Sequence, residues 1–343
     1  MKEEAGPPDE RAGSRLAVLA FAAVFGLTAV LAIISLPLGV YTVLYTTLAQ
    51  GYGAATLVRT FVWAGPIPVV LPWAVPLGIL FVSEIAVYSV LLVYALAHKN
   101  VFRSFADGFR SGLSLLLSND LVVALLAVGF YVFTVVIIDQ VVTAGGAPVG
   151  GLSDTNDLFY FVTATISPLR EEVGFRVGII GIVAMLLAIG KSWKGMLNAL
   201  WRPSSAYEGG PTMSGKAVTV MVALAISSIV FGLWHVLSGS GWEIGKLPGA
   251  TFGGLVIGYV YVKRGFHVAV LTHWGVDYLG TVFAFFGQGA YGISWTAVPG
   301  YVLEQVISLD MVAGIGLASF LVVLYLGYSK FARPRSEMPD VGT

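Results

Sequence analysis

A chain of 343 residues that is 57% hydrophobic and only 11% charged has too few charges to cover a soluble core, because soluble domains carry about 25% charged residues. The formal net charge is zero and no glycine-rich phosphate loop occurs, so neither nucleic acid nor a nucleotide is indicated as a partner. Cysteine is absent, which excludes disulfides, thiolate zinc sites and a cysteine nucleophile.

Apolar runs long enough to cross roughly 30 Å of hydrocarbon as helices recur along the chain, without the period-two alternation of barrel strands. The expected fold class is all-α, a polytopic transmembrane helical bundle of about eight spans near residues 16–36, 76–97, 121–142, 164–190, 217–238, 249–263, 265–286 and 309–329. A polar N-terminal tail, 1–15, precedes the first run. That run, Leu16 to Leu36, is longer than a signal-peptide core of about 7–15 residues and reads as a retained span. Residues 16–142 form an N-terminal set of helices. Within it Phe102, Phe105, Phe109, Leu113 and Leu116 share one helical face, with Arg103 and Arg110 off it. This pattern reads equally as an interfacial amphipathic helix near 101–117 or as side chains packed under the bundle. Pro168 is expected to break the fourth run near its start, and the sixth run is short for a full crossing. Irregular helices of this kind are tolerated in lipid where they line a cavity or pack on protein. Residues Ser204 to Ser214, rich in Gly, Pro and Ser, read as a mobile loop. The region 158–286 is expected to hold the functional core, and 287–343 the last span and a C-terminal tail. No internal repeat or separate soluble domain is visible.

Fifteen of the 19 cations lie in the two termini and alternate loops: Lys2, Arg11 and Arg15; Lys99, Arg103 and Arg110; Lys191, Lys194, Arg202 and Lys216; Lys263 and Arg264; Lys330, Arg333 and Arg335. The other loops hold only Arg59 and Lys246, while Arg170 and Arg176 fall in or beside the fourth span. Because cytoplasmic segments are enriched in Lys and Arg, this asymmetry implies an integral, multi-pass protein with both termini cytoplasmic. It also places His235 toward the non-cytoplasmic end of its span.

Ionisable side chains inside spans cost about 2.5–3.5 kcal/mol each on insertion scales and call for a reason. They concentrate in three places: Glu171, Glu172 and Arg176 in the fourth span, His235 in the fifth, and His273 with Asp277 in the seventh. Glu84 and Asp139 stand alone, and His98 and His267 lie near span ends where water is available. Glu172 and Arg176 are four apart, on one helical face and oriented for an ion pair. Glu171 is turned about 100° away and lacks that partner, so it is the carboxylate free to face a cavity and act on water. His273 and Asp277 share a face, and Phe231 stands one turn from His235 as an apolar wall for the imidazole. A packing network that only locks helices together reads the same charges as structural.

The ordered set Glu171-Glu172-x-x-x-Arg176, Phe231-x-x-x-His235 and His273-x-x-x-Asp277 resembles the EExxxR, FxxxH and HxxxN motifs of the type II CAAX prenyl endopeptidase family, also called the ABI or CPBP family. The likeness covers residues 170 to 279. It implies that Glu171 and His235 activate the attacking water, that Glu172 and Arg176 organise the site, and that His273 with Asp277 stabilises the oxyanion. Many members have Asn where this chain has Asp277, and an ionised carboxylate repels a developing oxyanion that an amide would stabilise. Asp277 is therefore protonated, or orients His273, or helps hold a cation.

No cofactor is favoured. The alternative is a divalent metal such as zinc on Glu171, His235, His273 and Asp277, all competent ligands, although the HExxH spacing of many zinc proteases is missing. The resulting expectation is an intramembrane endopeptidase acting on membrane-associated proteins, prenylated ones included, within the lipid bilayer. The alternatives are a non-catalytic scaffold or bacteriocin-immunity protein of the same family, and a transporter or proton pathway. The lack of inverted repeats and of a second polar cluster speaks against a transporter.

Overall fold

The computed structural model describes residues 8–49, 53–65, 67–111, 113–151, 157–208, 214–292, 305–307 and 310–332. Helix α1 (Pro8–Tyr45) begins inside the stretch expected to be a polar tail and runs through Pro37. A β-hairpin follows, β1 (Leu57–Ala64) and β2 (Ile67–Pro76), and then α2 (Leu77–Ala97), α3 (Val101–Ser111) and α4 (Asp120–Ala144). The expected fourth span is a composite of α5 (Asp157–Glu171), a π-helical segment (Glu172–Gly181) and α6 (Ile182–Leu187). After the short α7 (Trp193–Trp201) come α8 (Gly215–Leu237), α9 (Lys246–Arg264), α10 (Phe266–Asp277) and α11 (Val282–Tyr291). A π turn (Asp310–Gly314) leads into α12 (Ile315–Ala332).

The protein is a helical integral membrane protein. Among the described residues five helices are long and apolar enough to cross a membrane, or six when the bent pair α10 and α11 counts as one. The expected seventh span is thus two helices meeting at 44°. The sixth, α9, is 19 residues long and carries Gly249, Gly253, Gly254 and Gly258. Those glycines let backbones approach in the manner of small-residue packing. A Cβ on Gly254 would come within 2.9 Å of the Ser228 Cα on α8.

Helix α10 is the axis of the bundle. Nine consecutive residues, His267 to Gly275, are buried, as expected of a helix surrounded by protein rather than facing lipid. It packs against α2, α4, α5, α9 and the π segment, so any polar group it carries sits inside the protein.

Three expectations need correction. Pro168 lies within α5 without ending it. The hydroxyl of Tyr88 donates to the Thr165 carbonyl at 2.7 Å, which supports the turn that the proline ring disturbs, and the irregularity falls just after it. Phe102 is 81% exposed, whereas Phe105 packs on Phe21 and Phe25 of α1 at 6.3 and 5.1 Å. The buried face of α3 is therefore rotated from the one expected. Ser204, Ser205 and Ala206 form a buried 3-10 turn rather than loop, held by the Lys191 ammonium donating to the Ser205 carbonyl. The remainder of that stretch, 209–213, lies outside the described residues.

The hairpin was also not expected. Its strands pair antiparallel from Leu57↔Pro76 to Ala64↔Ile67, with an irregularity between Arg59 and Phe61. Sequence alternation is missing because β2 has apolar residues on both faces, with Ile67, Val69, Val70 and Trp73 all exposed. Pro68, Pro72 and Pro76 have no N–H to present, which blunts an edge strand. That matters beside lipid, where unpaired backbone donors are costly.

Candidate active site

The hairpin lies along the face of the fourth composite helix that carries Arg170, Gly174 and Gly178. Arg170 donates to the Thr60 hydroxyl and stands over the Phe61 ring at 5.1 Å. Trp63 packs on Phe175 and on Trp234 of α8, at 6.0 and 4.8 Å between ring centroids. A side chain on Gly174 would collide with Trp63, and a Cβ on Gly178 would meet the Gly65 nitrogen at 3.0 Å. These two glycines admit the strand. Widening the helix to π geometry disturbs its regular ladder of carbonyls. The hydroxyl of Ser227 on α8 takes up one of them, donating to Phe175 O at 2.8 Å.

This frame brings the predicted residues of the fourth and seventh spans together. His273 Nδ1 lies 2.8 Å from Glu172 Oε1, and its Nε2 lies 3.8 Å from Glu171 Oε2 and 3.4 Å from Asp277 Oδ2. Glu172 also pairs with Arg176 at 3.3 Å, both side chains being fully buried. The pair is not aligned as a hydrogen bond. Arg176 Nε, Nη1 and Nη2 and Glu172 Oε2 have no hydrogen-bond partner among the described residues. The guanidinium instead faces the Phe231 ring at 4.4 Å, a cation–π contact.

His235 joins through the same ring. Phe231 meets His235 at 4.6 Å and His273 at 5.8 Å, both edge-on. Nδ1 of His235 is 2.9 Å from the Phe231 carbonyl. An Nδ1–H bond to that carbonyl leaves Nε2 as the free, basic nitrogen. Phe231 is thus the hub between Arg176 and both imidazoles, beyond the apolar wall expected of it.

Side-chain exposure rises from zero at Glu172 and Arg176 to 5% at His273, 17% at Glu171 and 31% at Asp277. The gradient runs from a sealed foundation to a partly exposed rim. Glu172, bonded to Nδ1, fixes the ring of His273, a task that sequence reasoning offered to Asp277. Asp277 and Glu171 instead share Nε2. A ring whose Nδ1 proton is committed to Glu172 can hold two carboxylates at Nε2 only when another proton is shared among the three groups. Among the described residues no group of three or more His, Asp or Glu side chains is arranged to hold a metal ion.

Glu84 and Asp139, which stood alone in the sequence, each keep one buried oxygen without a hydrogen-bond partner among the described residues. His98 and His267, by contrast, belong to a second polar cluster, contrary to expectation. Both rings contact Asp120 Oδ2, at 2.6 and 2.8 Å, and Arg264 is 3.7 Å from Oδ1. Trp201 stacks on His267 at 5.8 Å. The cluster ties together the ends of α2, α4, α7, α9 and α10, so several cation-rich segments gather at one end of the molecule. The sequence signal was Asn119-Asp120 opening a helix: Asn119 caps α4 by accepting from Leu121 and Val122, which turns Asp120 toward the neighbouring helix ends.

Residues 155–279 match the model of the family described as type II CAAX prenyl endopeptidase Rce1-like. No curated protein and no solved structure matches. The matched stretch contains Glu171, Glu172, Arg176, Phe231, His235, His273 and Asp277, the residues that the fold gathers around α10. Over residues 155–279 the chain is thus similar to the Rce1-like type II CAAX prenyl endopeptidase family, within a larger helical membrane protein.

Proposed function

We propose that this protein is an intramembrane endopeptidase that hydrolyses peptide bonds of membrane-associated proteins, prenylated ones among them. The observation that carries the reading is the bridging position of His273, pinned from below by buried Glu172 and open above to Glu171 and Asp277. A network serving only to lock helices would have no reason to leave two of its carboxylates partly exposed.

In this mechanism Glu171 removes a proton from a water positioned with the free Nε2 of His235, and the oxygen of that water bonds to the scissile carbonyl carbon. The carbonyl π electrons move onto oxygen, where His273 Nε2–H stabilises the oxyanion. When the intermediate collapses the C–N bond breaks, and the proton held by Glu171 passes to the leaving amine. Arg176 and Glu172 touch no reacting atom and act as positioning residues.

Asp277 distinguishes this mechanism from a zinc-dependent one. Asp277→Asn supplies a neutral donor beside the oxyanion, so kcat/KM on a cleaved membrane peptide is expected to equal or exceed that of the wild type. A chelator is expected to leave the wild type unchanged. Inactivation by chelation, with recovery on adding zinc, would assign the metal mechanism instead.

The cation-rich end around Asp120 is assigned to the cytoplasm, with both termini on that side. In this cysteine-free chain, Thr343→Cys is expected to resist an impermeant thiol reagent in intact cells and to react after permeabilisation. Labelling from outside intact cells would reverse the assignment.

A further inference from the structure

A concavity lies on the outer face of the bundle, walled by α4, α9 and α12. Its volume is about 680 Å³, and its lining is apolar through Leu126, Phe130, Val256 and Val323, with Lys263 and Arg264 at one end. This volume falls within the range of roughly 300–1,000 Å³ typical of ligand cavities. Along α9 the lining extends from Leu255 to Lys263, about 12 Å at 1.5 Å per residue. That length is close to one leaflet of a hydrocarbon core of roughly 30 Å.

The polar groups define what would fill it. Arg264 is committed, donating to the carbonyls of Leu117 and Ser118 and lying 3.7 Å from Asp120. Lys263 is not: its ammonium lies 6.0 Å from the Tyr207 ring and forms no ion pair among the described residues. A single free cation closing one end of an apolar trough of leaflet depth matches an anionic head group attached to acyl chains.

We infer that this groove is a binding site for one anionic glycerophospholipid of the surrounding bilayer, with its phosphate at Lys263 and its acyl chains between α4, α9 and α12. The site lies outside the proposed catalytic cluster, and the inference is independent of the protease reading.

The test is thermal unfolding of the purified full-length protein in detergent, titrated with phosphatidylglycerol or with phosphatidylcholine of the same acyl chains. A lipid that binds the folded state raises Tm with its concentration. One Lys at a membrane surface is worth about a fivefold preference for an anionic head, so phosphatidylglycerol should reach half-effect at about fivefold lower concentration. Lys263→Gln should abolish that preference and Lys263→Arg should keep it. Ala127→Trp, which fills the trough, should weaken both lipids. Because Lys263 is exposed, its variants decide the matter even if the tryptophan variant fails to fold. Equal potency of the two lipids on the wild type, or an unchanged preference in Lys263→Gln, overturns the inference. Displacement of phosphatidylglycerol by an uncharged isoprenoid peptide also overturns it, by making the groove a chain-binding site with no role for the head group.

Discussion

Glu171→Gln, prepared as folded and monodisperse protein, is expected to lower kcat on a cleaved membrane peptide by about 10³-fold, in the range for loss of a positioned general base. The amide keeps the size and can still touch His273 Nε2, but it cannot take a proton from water. Stability should barely change, because Glu171 is partly exposed and its one ion-pair contact among the described residues, to His273, is long at 3.8 Å. Activity and Tm measured on the same preparation therefore separate chemistry from folding. Full activity in the folded variant would remove the proposed base and the mechanism with it. Inactivity of the wild type on every membrane peptide tried, with the fold intact, would favour a non-catalytic member of the family.

Glu172→Gln is expected to do the opposite, acting through the fold. It removes the only carboxylate paired with Arg176 among the described residues, in a fully buried site, and breaking such a pair costs about 3–5 kcal/mol because the remaining charge is uncompensated. It also exchanges the charged acceptor of His273 Nδ1 for a neutral amide oxygen, a weaker partner. Replacing both members, Glu172→Met with Arg176→Met, should recover most of the Tm, since buried pairs exchanged for apolar side chains of similar volume are often neutral or stabilising. Activity should not return, as His273 then has nothing to fix its ring. A double variant that regains both stability and turnover would show that Glu172 is not a positioning residue. Thermal unfolding and peptide cleavage on the single and double variants read the two effects separately.

The membrane class and helical architecture were legible because composition and run length determine them directly. The three motif segments were legible because charge inside a span is rare enough to mark itself. The roles within the cluster were harder. Helical spacing alone pairs His273 with Asp277, yet in three dimensions Glu172 from another helix reaches Nδ1 and is the better anchor, a contact 101 residues away in sequence. His98, Asp120 and His267 escaped for the same reason: each sits near a helix end, where solvent is the expected neighbour, and only the meeting of those ends buries Asp120 and His267. The hairpin escaped because β2, apolar on both faces and interrupted by prolines, shows neither the alternation of a half-buried strand nor the length of a spanning helix.

The π geometry of Glu172–Gly181 has a consequence for how such sites diversify. A π turn holds about one residue more than an α turn, so in evolutionary terms it behaves as a single-residue insertion that the helix absorbs by widening. A relative that lost that residue could keep an identical Glu-Glu-x-x-x-Arg string while its helix closed to α. Everything beyond the closure would then rotate by about one residue step, carrying Gly178 away from the hairpin. Descent with an intact motif therefore does not guarantee descent with an intact site, and the gap positions just after the motif carry as much information as the letters within it.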